Sequence, residues 1–73
     1  MNAVGFKLID DRHGEIWCVC SQDDYREHGP ELYRRQDVMC GVSDELDEAI
    51  TDFQVNLCLM HNQAFNINLV EIL

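Results

Sequence analysis

Ser43-Asp44-Glu45-Leu46-Asp47-Glu48-Ala49-Ile50-Thr51-Asp52-Phe53 is the clearest helix start in the chain, and it carries the densest charge. Ser43 or Asp44 can serve as N-cap, its side-chain oxygen accepting an otherwise orphaned backbone N–H. Leu46, Ala49, Ile50, Phe53, Leu57 and Met60 recur at helical spacing, so one stripe can face a core. Asp44, Asp47, Glu48 and Asp52 fall on the opposite side. The stretch predicts a helix with an oily face and a carboxylate face.

The helix has two candidate ends. Beyond Gln54 the apolar residues Val55, Cys58 and Leu59 fall on the intended polar side, and Phe53 to Leu57 alternates with the period of a strand. One helix over 44–61, stopped by Asn62, is favoured over a short helix followed by a strand at 53–60. Working backward, residues 37–42 read as a strand leading into the helix. Residues 22–27 read as a single helical turn that His28-Gly29-Pro30 breaks.

The N-terminal third reads as a hairpin with strands at 3–10 and 15–21 around the turn Asp11-Arg12-His13-Gly14, where Gly14 can take a positive φ. Opposing Asp10 to Glu15 puts Leu8 across from Trp17 and Phe6 across from Val19 on one face, with Cys18 and Cys20 on the other. Residues 64–72 read as a final strand, central in the sheet or a bare edge open to pairing. The expected fold is α+β: a small antiparallel sheet of β-hairpin, third strand and C-terminal strand, packed on one main acidic amphipathic helix. Leu46, Ile50, Phe53 and Leu57 would meet Phe6, Leu8, Trp17 and Val19.

At 73 residues this is one domain. Fourteen Asp and Glu face five Lys and Arg, a formal charge of −9. Such a surface repels nucleic acid and anionic membranes and favours a basic partner. Residues 22–52 hold ten of the acids and three arginines, whereas only Glu71 is charged after Phe53, leaving His61 aside. No secretory signal and no apolar run near ~20 residues is present, so a cytoplasmic protein with reduced cysteines is expected.

Asp44, Glu48 and Asp52 are spaced four apart with no Lys or Arg at i±3 or i±4 to relieve their repulsion. Helix-dipole stabilisation accounts for acids in a first turn but not for Asp52, nor for Asp23, Asp24, Glu27, Glu31 and Asp37 upstream. Partner-binding residues are therefore assigned as Asp44, Glu45, Asp47, Glu48 and Asp52, together with that upstream set. Cys18, Cys20, Cys58 and His61 could supply zinc ligands, but alternate strand residues are splayed by ~6.6 Å, which favours packing. Ser43, Ser21 and the three histidines fit no catalytic motif, so no enzyme activity, metal or cofactor is expected.

Met39-Cys40-Gly41-Val42-Ser43-Asp44-Glu45-Leu46-Asp47-Glu48-Ala49-Ile50 resembles the strand-to-helix junction of HicB-type antitoxins, which implies a hairpin, a third strand and then an acidic helix. The insertion at 22–36 and the lack of a DNA-binding segment depart from that family. The leading expectation is a small acidic inhibitor of phage or mobile-element type, acting in the host cytoplasm. It would block a basic nucleic-acid-binding protein or nucleoprotein complex, in the style of anti-CRISPR, anti-restriction or DNA-mimic proteins. The alternatives are an antitoxin-like protein or a self-associating module, a homodimer through the C-terminal strand with solubilising charge, and more remotely a small zinc-binding domain.

Overall fold

The computed structural model describes all 73 residues. Alternating apolar residues form β1 at Asn2–Asp10 and β2 at Gly14–Ser21, paired antiparallel. The turn is tightened by Asp10, whose Oδ2 accepts the backbone N–H groups of Arg12 at 3.3 Å and His13 at 3.1 Å. Gly14 closes it at φ 73°, and Asp10 therefore pairs with Gly14 rather than with Glu15. That one-residue difference exchanges the two faces of β2 relative to expectation. Ile16, Cys18 and Cys20 join Val4, Phe6 and Leu8 on one face, while Trp17 and Val19 join Ala3, Gly5 and Lys7 on the other.

Ser21 ends β2 and caps α1, Gln22–His28, by accepting the Asp24 backbone N–H. A 3-10 helix at Gly29–Arg34 continues the segment, with Pro30 at its start where no N–H is needed. Leu32 inserts from it into the sheet face formed by Val4, Phe6, Cys18 and Cys20, and Tyr25 stacks at 5.1 Å on Phe6. The sheet is thus covered on both faces, with α1 and the 3-10 helix as the second layer.

β3 is Cys40–Ser43, shorter than the expected 37–42, and pairs antiparallel with β2. Ser43 is still paired with Trp17, so its backbone cannot turn into the helix, and neither Ser43 nor Asp44 is the cap. Glu45 takes that place without a side-chain bond, and α2 runs from Leu46 to His61 as one helix. Asn62 stops it in the left-handed conformation at φ 53°. Phe53 and Leu57 are buried while Val55 is exposed, so the helical period overrides the local alternation. α2 buries Ala49, Phe53 and Leu57 against Ala3 and Val19, with Trp17, Leu46 and Ile50 around them. Phe6 and Leu8 are not in that layer, because the hairpin register turns them to the other side.

β4, Asn68–Ile72, joins the outer side of β1, giving the order β3-β2-β1-β4. It runs parallel to β1, so the four-stranded sheet is mixed rather than antiparallel. A helix that returns the chain from β3 delivers the next strand parallel to β3, and hence to β1. β4 is an edge strand and not a central one. No helix is long and apolar enough to cross a membrane.

Gly41 is where α2 and the sheet meet. A Cβ there would run into the Ala49 carbonyl oxygen and the Phe53 amide nitrogen, and would lie 2.7 Å from Phe53 Cβ. Two of those obstacles are backbone and cannot rotate away. Gly41→Ala is expected to cost at least ~3 kcal/mol, lowering Tm by more than ~10 °C in a domain of this size, as read by thermal melting. Burial also pushes the Cys20 thiol up to about 12, and the Cys40 thiol, with burial, raises that of Cys18. Alkylation of Cys18 and Cys20 at pH 8 is expected to follow global unfolding, checked by mass spectrometry across a urea series.

Candidate functional site

Ser43 and Asp44 leave β3 for α2 and place the first carboxylates beside the helix N-terminus. Ser43 Oγ donates to Glu48 Oε2 at 2.9 Å and accepts the Glu45 backbone N–H at 3.4 Å. Asp47, Glu48 and Asp52 then line a shallow concavity of about 390 Å³ together with Thr51 and Val55. None of Asp44, Glu45, Asp47, Glu48 and Asp52 has a Lys, Arg or His within ion-pair distance; the ion pairs all lie elsewhere.

Asp52 has an internal task as well. Its Oδ2 accepts the Val42 backbone N–H at 3.0 Å, and Asn56 Nδ2 donates to the Cys40 carbonyl at 3.2 Å. The two side chains bracket Gly41 and clip α2 to the outer edge of β3. This accounts for an acid past the first helical turn, where dipole stabilisation has faded. Asp52 also contributes to the lining of the concavity.

The upstream acids form a different surface. Asp37 makes a two-pronged pair with Arg35, at 2.9 and 2.8 Å, which holds its carboxyl below the usual range. Glu31 lies 3.9 Å from Arg34, and Glu27 lies 3.7 Å from the His28 imidazole. Asp23 and Asp24 have no such partner, but they sit in the first turn of α1, where acids are ordinarily stabilised. α1 and the 3-10 helix cover one sheet face and α2 covers the other. The ten carboxylates are therefore two separate groups, and only the α2 group lacks internal cations throughout.

Comparisons with protein-family models, curated proteins and solved structures found no match. The surface is read from its chemistry alone.

Three other groups of polar side chains lie outside the α2 face. A groove of about 510 Å³ at the hairpin end of the sheet is lined by Asp10, His13, Ile16, Tyr33, Val42, Ser43 and Asp44. His13 Nδ1 hydrogen-bonds Asp10 Oδ2 at 2.6 Å, which holds the Asp10 carboxyl low. Ser43 shares the groove, but its hydroxyl is hydrogen-bonded to Glu48 and makes no hydrogen bond to His13, so nothing prepares it as a nucleophile. The sequence signal for this groove was the Asp-x-x-His spacing at 10–13, which reads equally as turn capping. The donor atoms of Asp24, Glu27 and His28 lie within 4.8 Å of one another. Of the four zinc candidates, Cys18 and Cys20 are sealed under Leu32, whereas Cys58 and His61 belong to α2 on the opposite layer, so the set does not converge.

Asp52 allows the structural and charge roles to be separated. Asp52→Ala is expected to destabilise the fold by ~1–2 kcal/mol through loss of the Val42 bond. Asp52→Asn keeps an acceptor oxygen, removes the Glu48 repulsion and should be close to neutral. Urea unfolding of both variants tests the pair.

Proposed function

We propose that this chain is a non-catalytic binding protein that docks a basic surface against the carboxylate face of α2, formed by Asp44, Glu45, Asp47 and Glu48 with Asp52. The supporting observation is that five carboxylates cluster within nine residues with no internal cation. Arg34 and Arg35 meanwhile pair with acids away from α2. Clustered like charge costs stability unless something offsets it. A partner bearing Lys and Arg would offset it, with charge complementarity supplying steering and specificity. Proteins that handle nucleic acid carry such surfaces, because they must neutralise phosphates. The reading is therefore an acidic inhibitor that occupies a nucleic-acid-binding groove, of the type found on phages and mobile elements. The upstream acids Asp23, Asp24, Glu27, Glu31 and Asp37 are secondary to it, since three of them already have partners.

The concavity between Asp47, Glu48 and Asp52 suits the head of a lysine or arginine, with Val55 and the Thr51 methyl meeting the aliphatic stem. An antitoxin role would use the same face toward a basic toxin, in keeping with the resemblance of residues 39–50.

Immobilised wild-type protein and an Asp44→Lys/Asp47→Lys/Glu48→Lys variant can be compared as baits in extract of cells that carry the gene. The wild type is expected to retain a basic protein that duplex DNA and ~0.5 M salt both displace, since the Debye length has by then shrunk to a few ångströms. The variant should retain at least tenfold less. Equal retention by both baits, or retention indifferent to DNA, would sink the proposal.

A further inference from the structure

We propose that the chain also forms a two-fold homodimer by pairing β4 antiparallel with β4 of a second copy. The two edges of the sheet are unequal. At β3, the outward Val42 N–H and Cys40 carbonyl are taken by Asp52 and Asn56, so α2 closes that edge. At β4, no side-chain hydrogen bond reaches the backbone of residues 68–72, and the side away from β1 is bare. β4 has neither the proline nor the lysine that commonly guards an open edge.

The side chains agree with the backbone. Three large hydrophobic residues within 68–73, Val70, Ile72 and Leu73, are left exposed along this edge. Glu71 is the only charged residue in the same span, in a chain of formal charge −9. Charge distribution also selects the occupant. A basic partner strand would find almost no carboxylate to meet here. A second copy approaching the α2 face would bring carboxylate against carboxylate, whereas the β4 edge offers only Glu71. Two-fold symmetry offers the same edge to itself. Facing carboxylates destabilise a strand pair, so Glu71 is not the self-paired residue; a register centred on Val70 sets each Glu71 across from Leu69. Val70 is the extra residue where β4 shifts register against β1. Such a bulge shortens the regular edge, so the dimer is weak and dissociates on dilution.

Sedimentation equilibrium over a concentration series, at low and high salt, reads the association directly. The apparent mass is expected to rise from 8.5 kDa toward twice that value. Added salt should strengthen the dimer by screening two acidic bodies, the reverse of its effect on binding at the α2 face. Val70→Glu puts like charges face to face and should remain monomeric, with unchanged circular dichroism. In the wild type, amide exchange of residues 69–73 should slow as concentration rises; this also decides the matter if Val70→Glu fails to fold. A wild type still monomeric at ~1 mM, a folded Val70→Glu that dimerises as well as the wild type, or exchange independent of concentration would overturn the proposal. Each of these outcomes leaves capture by the α2 face untouched, and loss of that capture leaves the dimer untouched.

Discussion

The approach of two backbones at Gly41 governs this structure. α2 rests on β3 so closely that no side chain fits between them, and its seat is set by main-chain atoms of Ala49 and Phe53. Asp52 and Asn56 grip β3 on either side of that contact. With the helix fixed there, Phe53 and Leu57 reach Val19 and Ala3, and the opposite side carries its carboxylates outward. The same contact seals one sheet edge and leaves the other bare. Core and charged face both depend on that close approach.

Both layers over the sheet are acidic, but they handle charge differently. The α1 layer couples Arg34 and Arg35 to Glu31 and Asp37, as a surface does when it is finished. Exposed pairs of this kind contribute little to stability, but they neutralise the local field. The α2 layer has no such coupling. Ser43 holds Glu48 and the Val42 amide holds Asp52, so these two carboxylates are ordered without being neutralised. Ordered, uncompensated charge is a better template for a partner than charge on freely moving side chains, because less entropy is lost on docking.

The α2 helix was legible because Leu46, Ala49, Ile50, Phe53 and Leu57 repeat over three turns and Asn62 punctuates the end. Met60 follows the same stripe but is exposed. The hairpin was legible as an element and wrong in register. Asp10 captures two backbone amides and Gly14 takes the positive φ, and that turn chemistry shifts the pairing by one residue. The parallel fourth strand was implicit in the strand–helix–strand order, but alternation within residues 64–72 is blind to direction. Residues 22–36 offered least, because only Tyr25, Leu32 and Tyr33 anchor them and their helices are too short to show a period. The carboxylates could be counted from the sequence, but which of them had cations nearby depended on the sheet that separates them.

The pairing of β1 with β4 joins Asn2 to Asn68, almost the whole chain apart, while β1 meets β2 across a short turn. Closing so large a loop sacrifices more chain freedom than folding the hairpin, and returns only a short ladder. Assembly is therefore ordered in time, with the hairpin and α2 forming a nucleus and β4 arriving last. Release of β4, an edge strand with a short ladder, would uncover the hydrogen-bonding edge of β1 beneath it.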